Sequence, residues 1–195
     1  IFAHLLIGAE GTLAFIAEAI METIPDQPFK ATAMLYFTDI REACKAIEPL
    51  AAAGAAMVEL MDRASLRAVE NTDGIDPYIS LLPASASALL VEFQADNQTA
   101  LTASVDSFLQ GCSAFSLLKF PSFSIAEKER NFLWKIRKGL FPSVGAVRKK
   151  GTTVILEDIA FPVANLGDAI GDLQVLFDTY NYPDAIIFGH AKDGN

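Results

Sequence analysis

The sequence predicts an α+β fold, an antiparallel sheet covered by helices and built from ferredoxin-like halves, on three observations. Short apolar runs of strand length alternate with stretches whose apolar residues recur at helical spacing. Glycine, proline, asparagine and aspartate punctuate the chain at regular intervals, leaving connections compatible with antiparallel pairing. With 52% hydrophobic residues, a chain of 195 residues can bury a large core as one domain or two small halves. Helices are expected on one face of the sheet.

Pro25-Asp26-Gln27-Pro28 reads as a linker, and residues 31–37 as a strand. Thr38 or Asp39 can cap the helix that follows, which aligns Ala43, Ile47 and Leu50 on one face. Gly54 stops this helix before a strand over 56–61, and a second helix covers 62–70. A turn-rich stretch precedes a strand at 88–93 and a helix over 97–109. Ser124-Ile125-Ala126-Glu127 has the capping-box pattern, opening a helix with the apolar stripe Phe132, Leu133, Ile136 and Leu140. Residues 152–159 read as a strand, Asn165 as the cap of a helix bearing Ile170, Leu173, Leu176 and Phe177, and 185–188 as the last strand. The alanine-rich stretch at 51–56 reads as a helix end.

No apolar run approaches the ~20 residues of a membrane-spanning helix, so the positive mean hydropathy points to a dense core. The opening Ile1-Phe2-Ala3-His4-Leu5-Leu6-Ile7 is short and lacks a basic flank, which argues against a signal peptide, although the chain carries no start methionine. Cys44 and Cys112 show no C-x-x-C spacing, so neither a disulfide framework nor a zinc ribbon is indicated. Cys44 falls on an apolar helix side, as a small buried hydrophobe would.

The net charge of −9 argues against nucleic-acid binding. Its distribution is uneven. Residues 127–150 hold eight basic and two acidic side chains, a balance of +6, leaving −15 for the seven basic and 22 acidic residues elsewhere. Such an island would focus potential for a small anion; it also fits a solvated helix face followed by a basic loop.

Two motifs carry chemistry. Gly189-His190-Ala191-Lys192-Asp193-Gly194-Asn195 places a histidine after an apolar strand, in a turn rich in Gly, Asp and Asn, where a rigid scaffold holds polar groups at fixed positions. Gly8-Ala9-Glu10-Gly11-Thr12-Leu13-Ala14-Phe15-Ile16-Ala17-Glu18-Ala19 resembles the G-S-E-G-T-L-G-I-I-T-E-A segment of FAD-linked oxidases of the vanillyl-alcohol oxidase type. The C-terminal motif resembles the same family's G-H-x-x-D-G-N-L-H signature, found in D-lactate, D-2-hydroxyglutarate and glycolate dehydrogenases. Both stand in the family's order.

The resemblance implies residues 1–27 as the end of an FAD-binding domain plus linker, and 28–195 as the family's C-terminal substrate domain, stopping before its Leu-His. It implies FAD in the longer parent, with Gly8, Glu10, Gly11 and Thr12 at the cofactor; glycines there would let backbone approach closely. It implies a catalytic and metal-binding role for His190, toward zinc, manganese or iron, in a site incomplete within this chain. An arginine near Leu133-Trp134-Lys135-Ile136-Arg137 holds the substrate carboxylate in the family. Arg137 fits that role because its planar donor fork matches a carboxylate, whereas a structural role would stack it on Trp134. Asn195 and Lys149 are further substrate candidates, while Asp193 and Gly194 shape the turn. Some relatives carry lysine or tyrosine before the acidic residue of Glu157-Asp158, and only one of these two neighbours can face a site.

The resulting expectation is the substrate domain of an FAD-dependent 2-hydroxy-acid dehydrogenase, oxidising D-lactate or glycolate and passing electrons to an acceptor the sequence does not identify. The parent would be cytoplasmic or peripheral to a membrane, and a homodimer is compatible with it. The competing expectation is a stand-alone ferredoxin-like binding or oligomerisation module using the basic island for an acidic partner.

Overall fold

The computed structural model describes residues 2–9, 11–147, 150–155 and 158–195. In chain order these form α1 (Phe2–Leu6), β1 (Phe29–Phe37), α2 (Ile40–Lys45), α3 (Ile47–Ala52), β2 (Ala55–Met61), α4 (Arg63–Val69), β3 (Ser87–Ala95), α5 (Gln98–Gly111), α6 (Glu127–Val147), α7 (Val163–Thr179) and β4 (Phe188–Gly189). Local capping explains several helix starts. Asp39, Asp62 and Asn97 each accept a hydrogen bond from the backbone N–H three residues on, opening α2, α4 and α5. Gly54, at φ +90°, turns the chain from α3 into β2.

The sheet runs β1-β3-β2-β4, with every pair antiparallel. Residues 116–124 return along the free edge of β1. Leu118 N–H donates to Tyr36 at 2.9 Å, and Thr32 and Ser124 exchange both of their backbone bonds. This edge completes the order of a ferredoxin-like first half, while α6, α7 and β4 are added to the same sheet.

β3 is the central strand and explains the layering. Residues 87–93 are all buried, so both of its faces need cover, and the continuous run Ala88-Leu89-Leu90-Val91 supplies apolar groups to each. Leu89, Val91 and Phe93 join Leu35, Phe37, Val58 and Leu60 beneath α2, α3, α5 and α7. Leu90 and Ala88 join Tyr36 and Met61 beneath α4 and α6, through Leu66, Val69, Ile136 and Leu140. Helices therefore cover both faces, where a single covered face was expected.

Other local differences have local causes. The helix after β1 breaks into α2 and α3, and Pro49 lies in the second. Ser124 is committed to the β1 edge, so its hydroxyl accepts from Ala126 N–H and α6 begins only at Glu127, without the expected capping box. α7 starts at Val163 behind Pro162, placing Asn165 inside the helix rather than at its cap. The described part of 152–159 is not strand. Ile155 and Ile159 are exposed there, since strand propensity without a pairing edge does not make a strand. The last strand is shorter than expected and shifted by one residue, pairing with Leu60 and Met61. No helix of the described residues is long and apolar enough to cross a membrane.

Candidate functional site

Glu59 is the centre of the site. On β2 it stands between Val58 and Leu60, opposite Leu90, and side-chain alternation turns it toward α6. Its side chain is only 7% exposed. A buried carboxylate requires partners, and here both oxygens have them. Arg137, in the middle of α6, donates to Oε2 through Nε at 3.0 Å and Nη2 at 2.8 Å. His190, directly after β4, places Nδ1 at 2.7 Å from Oε1. Residues 59, 137 and 190 thus meet through one carboxylate although they come from three separate elements.

The exposures divide the roles. The Arg137 side chain is 13% exposed, with the ring of Phe188 lying 4.7 Å from its guanidinium carbon. One edge of the guanidinium is committed to Glu59 and one face to Phe188. The expected stacking partner, Trp134, instead donates its indole N–H to Glu92 Oε2 at 2.6 Å, an oxygen that also accepts from Thr32 at 2.8 Å. His190, in contrast, leaves 65% of its side chain in solvent. Its outer nitrogen, Nε2, is the polar atom available for chemistry.

The turn behind His190 is backbone-built. Asp193 N–H and Asn195 N–H both donate to the His190 carbonyl, and Gly194 adopts φ +78°. A methyl group on Gly194 would overlap the Phe161 carbonyl oxygen, and one on Gly189 would collide with the Asn195 carbonyl. Lys192 reaches the carbonyls of Ala55 at 2.9 Å and Ala56 at 3.3 Å, where β2 bulges, and so fastens the turn to the sheet. Asn195 closes the turn, with its N–H on the His190 carbonyl and its own carbonyl against Gly189.

The other expected site residues fall elsewhere. Glu10 and Lys149 lie outside the described residues, as does Glu157. Gly8 and Gly11 have φ of +76° and +75° with open space where a Cβ would stand, so their backbone is accessible to a ligand; Thr12 bonds the nearby Ala9 carbonyl. These residues share no hydrogen bond with the Glu59 cluster among the described residues. The basic island divides: Arg137 turns inward, while Lys135 and Lys138 line an open groove of about 480 Å³ with Asn131, Trp134 and Gly139. Among the described residues no group of three His, Cys, Asp or Glu side chains could hold a metal ion. His190 alone does not fit a metal centre.

Glu59 and Glu92 belong to neither sequence motif. Their signal was present, since each is a lone carboxylate within an apolar strand and demands a buried partner.

Comparison with known proteins follows the same lines. The model of the family "FAD linked oxidases, C-terminal domain" matches residues 26–195. The chain is 28% identical over 197 residues to the glycolate oxidase subunit GlcD of Bacillus subtilis, covering 98% of this chain and 39% of that protein. It is 26% identical over 200 residues to a D-2-hydroxyglutarate dehydrogenase of Pseudomonas putida, covering 97% and 20%. It is also 26% identical over 203 residues to the mitochondrial D-lactate dehydrogenase [cytochrome] 1 of Saccharomyces cerevisiae, covering 98% and 32%. The chain thus spans well under half the length of these relatives. From Asp26 to Asn195, the sheet, its helices and the turn carrying His190 belong to the C-terminal domain family of the FAD linked oxidases.

Proposed function

We propose that residues 28–195 are the substrate-holding domain of an FAD-dependent 2-hydroxy-acid dehydrogenase, with residues 1–27 completing its flavin-binding domain. D-lactate and glycolate are the favoured substrates, in keeping with relatives named for glycolate, D-lactate and D-2-hydroxyglutarate. The observation that carries the reading is the convergence of Arg137 and His190 on Glu59, which sets an anion-binding fork beside an exposed imidazole.

In this reading Arg137 holds the substrate carboxylate through donors not committed to Glu59. His190 Nε2 takes the hydroxyl proton as the α-carbon is oxidised to a ketone or aldehyde. Asn195 supplies a second polar contact. Bound FAD supplies the two-electron acceptor for the α-hydrogen. Gly8, Gly11 and Thr12 would lie against that cofactor, with their accessible backbone as the fitting feature. A zinc, manganese or iron ion would need donors beyond the described residues.

Joining this chain to its flavin-binding half and replacing Arg137 by Ala tests the reading. Flavin content should be retained while kcat/KM on D-lactate or glycolate falls about 100-fold, matching ~3 kcal/mol for a lost bond to a charged group. Unchanged kcat/KM on every 2-hydroxy acid would remove Arg137 from the site.

A further inference from the structure

We infer that Glu59 is a positioning residue that sets the tautomer of His190 and determines which edge of Arg137 remains open. The inference deepens the dehydrogenase reading and rests on it for what the open groups would bind. The hydrogen-bond arithmetic is independent of substrate. Arg137 is permanently cationic and has only donors, so the Glu59 oxygen it holds acts as a carboxylate acceptor. The other oxygen of an ionised carboxylate also only accepts. His190 Nδ1, 2.7 Å away, must therefore carry the hydrogen. In the neutral imidazole this leaves the lone pair on Nε2, facing solvent from a ring that is 65% exposed.

The same carboxylate orients Arg137. Its Nε and Nη2 both point at Oε2, so the side-on edge is occupied. Phe188 covers one face of the guanidinium. A ligand carboxylate must then approach the remaining edge, through Nη1 and the second hydrogen of Nη2. Glu59 can impose both orientations because its own position is rigid: it lies on β2 between buried Val58 and Leu60, in a ladder with β3. One buried side chain thereby prepares two groups of opposite use, a lone pair that takes a proton and a donor pair that holds an anion.

The test reads tautomers by long-range proton–nitrogen correlation NMR on the ¹⁵N-labelled 195-residue chain, at a pH where imidazole is neutral. Only two histidines are present, so His190→Ala assigns the signal. The expected result is an Nδ1–H tautomer at His190 and a slowly exchanging Arg137 Nε–H. In Glu59→Leu both should be lost; in Glu59→Gln the single amide oxygen stays with the donor-only Arg137 and the amide NH2 faces Nδ1, so the Arg137 Nε–H should stay protected while His190 switches to the Nε2–H tautomer. An Nε2–H tautomer in the unsubstituted chain, or an Nδ1–H form that survives Glu59→Leu, overturns the inference. Should Glu59→Leu not fold, the unsubstituted chain and Glu59→Gln still decide it. Because no activity is measured, failure of the dehydrogenase reading and failure of this inference remain separable.

Discussion

Glu59 and Arg137 form a buried ion pair whose halves are strongly interdependent. Truncating Arg137 to Ala leaves a buried carboxylate with only the imidazole, and should cost about 3–5 kcal/mol of folding stability. Replacing both residues by apolar side chains of similar volume should cost less than that single truncation, since no charge is then stranded. Urea denaturation of the two single variants and the double variant checks this. A double variant less stable than Arg137→Ala would show that the pair contributes more than mutual neutralisation.

Asp62 offers a residue-scale pH prediction. Burial raises its carboxyl pKa above the ordinary 3.8, although its side chain caps α4 through Ser65 N–H at 2.7 Å. Between the ordinary and the raised value, the unfolded chain releases this proton while the folded chain keeps it. The stability linked to Asp62 is thus present below the ordinary carboxylate range and is lost as pH rises through the raised value. Asparagine keeps a capping oxygen without burying a charge. Asp62→Asn should therefore gain on the unsubstituted chain as pH rises from acid to neutral, measured as the difference in urea midpoints. A difference independent of pH would contradict the raised value. Cys44 shows the same physics more simply, its thiol being pushed up to about 12 first by burial and then by Asp39.

At the scale of elements, α6 is held to the sheet by two polar anchors three residues apart. Trp134 bonds Glu92 and Arg137 bonds Glu59, while Ile136 and Leu140 fill the apolar space between α6 and the sheet. Residues at this spacing share a helix face, so the two anchors together fix the rotation of α6 about its axis. Trp134→Phe keeps the ring but deprives a buried carboxylate of one donor, and should cost about 1–3 kcal/mol. Chemical denaturation should reveal that loss. A second element depends on glycine. Gly194→Ala forces a β-carbon against the Phe161 carbonyl at φ +78°, so the turn must leave its place and carry His190 away from Glu59. Loss of the Nδ1–H signal in that variant would report it; an unchanged signal would show that the turn absorbs the methyl.

Across the whole molecule, the two cores lie on opposite faces of one sheet and share β3. Residues 11–26 add little to either, as Phe15, Ile20, Met21 and Ile24 are at least 80% exposed. A chain trimmed to begin at Asp26 should retain the near-ultraviolet circular dichroism and urea midpoint of the full chain, while showing less self-association because an exposed apolar segment is gone. A large drop in the midpoint would mean that the segment packs on the domain.

What the sequence by itself determined was local, because it depends on residues close together in the chain. Apolar runs placed β1, β2 and β3 within two residues of their observed ends, and Asp39, Asp62 and Asn97 mark helix starts by side-chain chemistry alone. The family was legible for the same reason, being carried by two contiguous motifs. Tertiary structure decided whatever depends on a distant partner. Residues 152–159 have strand composition, yet the described ones form no strand, and Ser124 has a capping sequence but is committed to β1. The site belongs to this second class. Arg137 and His190 could each be named from the sequence, but the carboxylate joining them is 78 positions from one and 131 from the other. Only the antiparallel order of the sheet and the seating of α6 on it bring those three side chains within hydrogen-bonding distance.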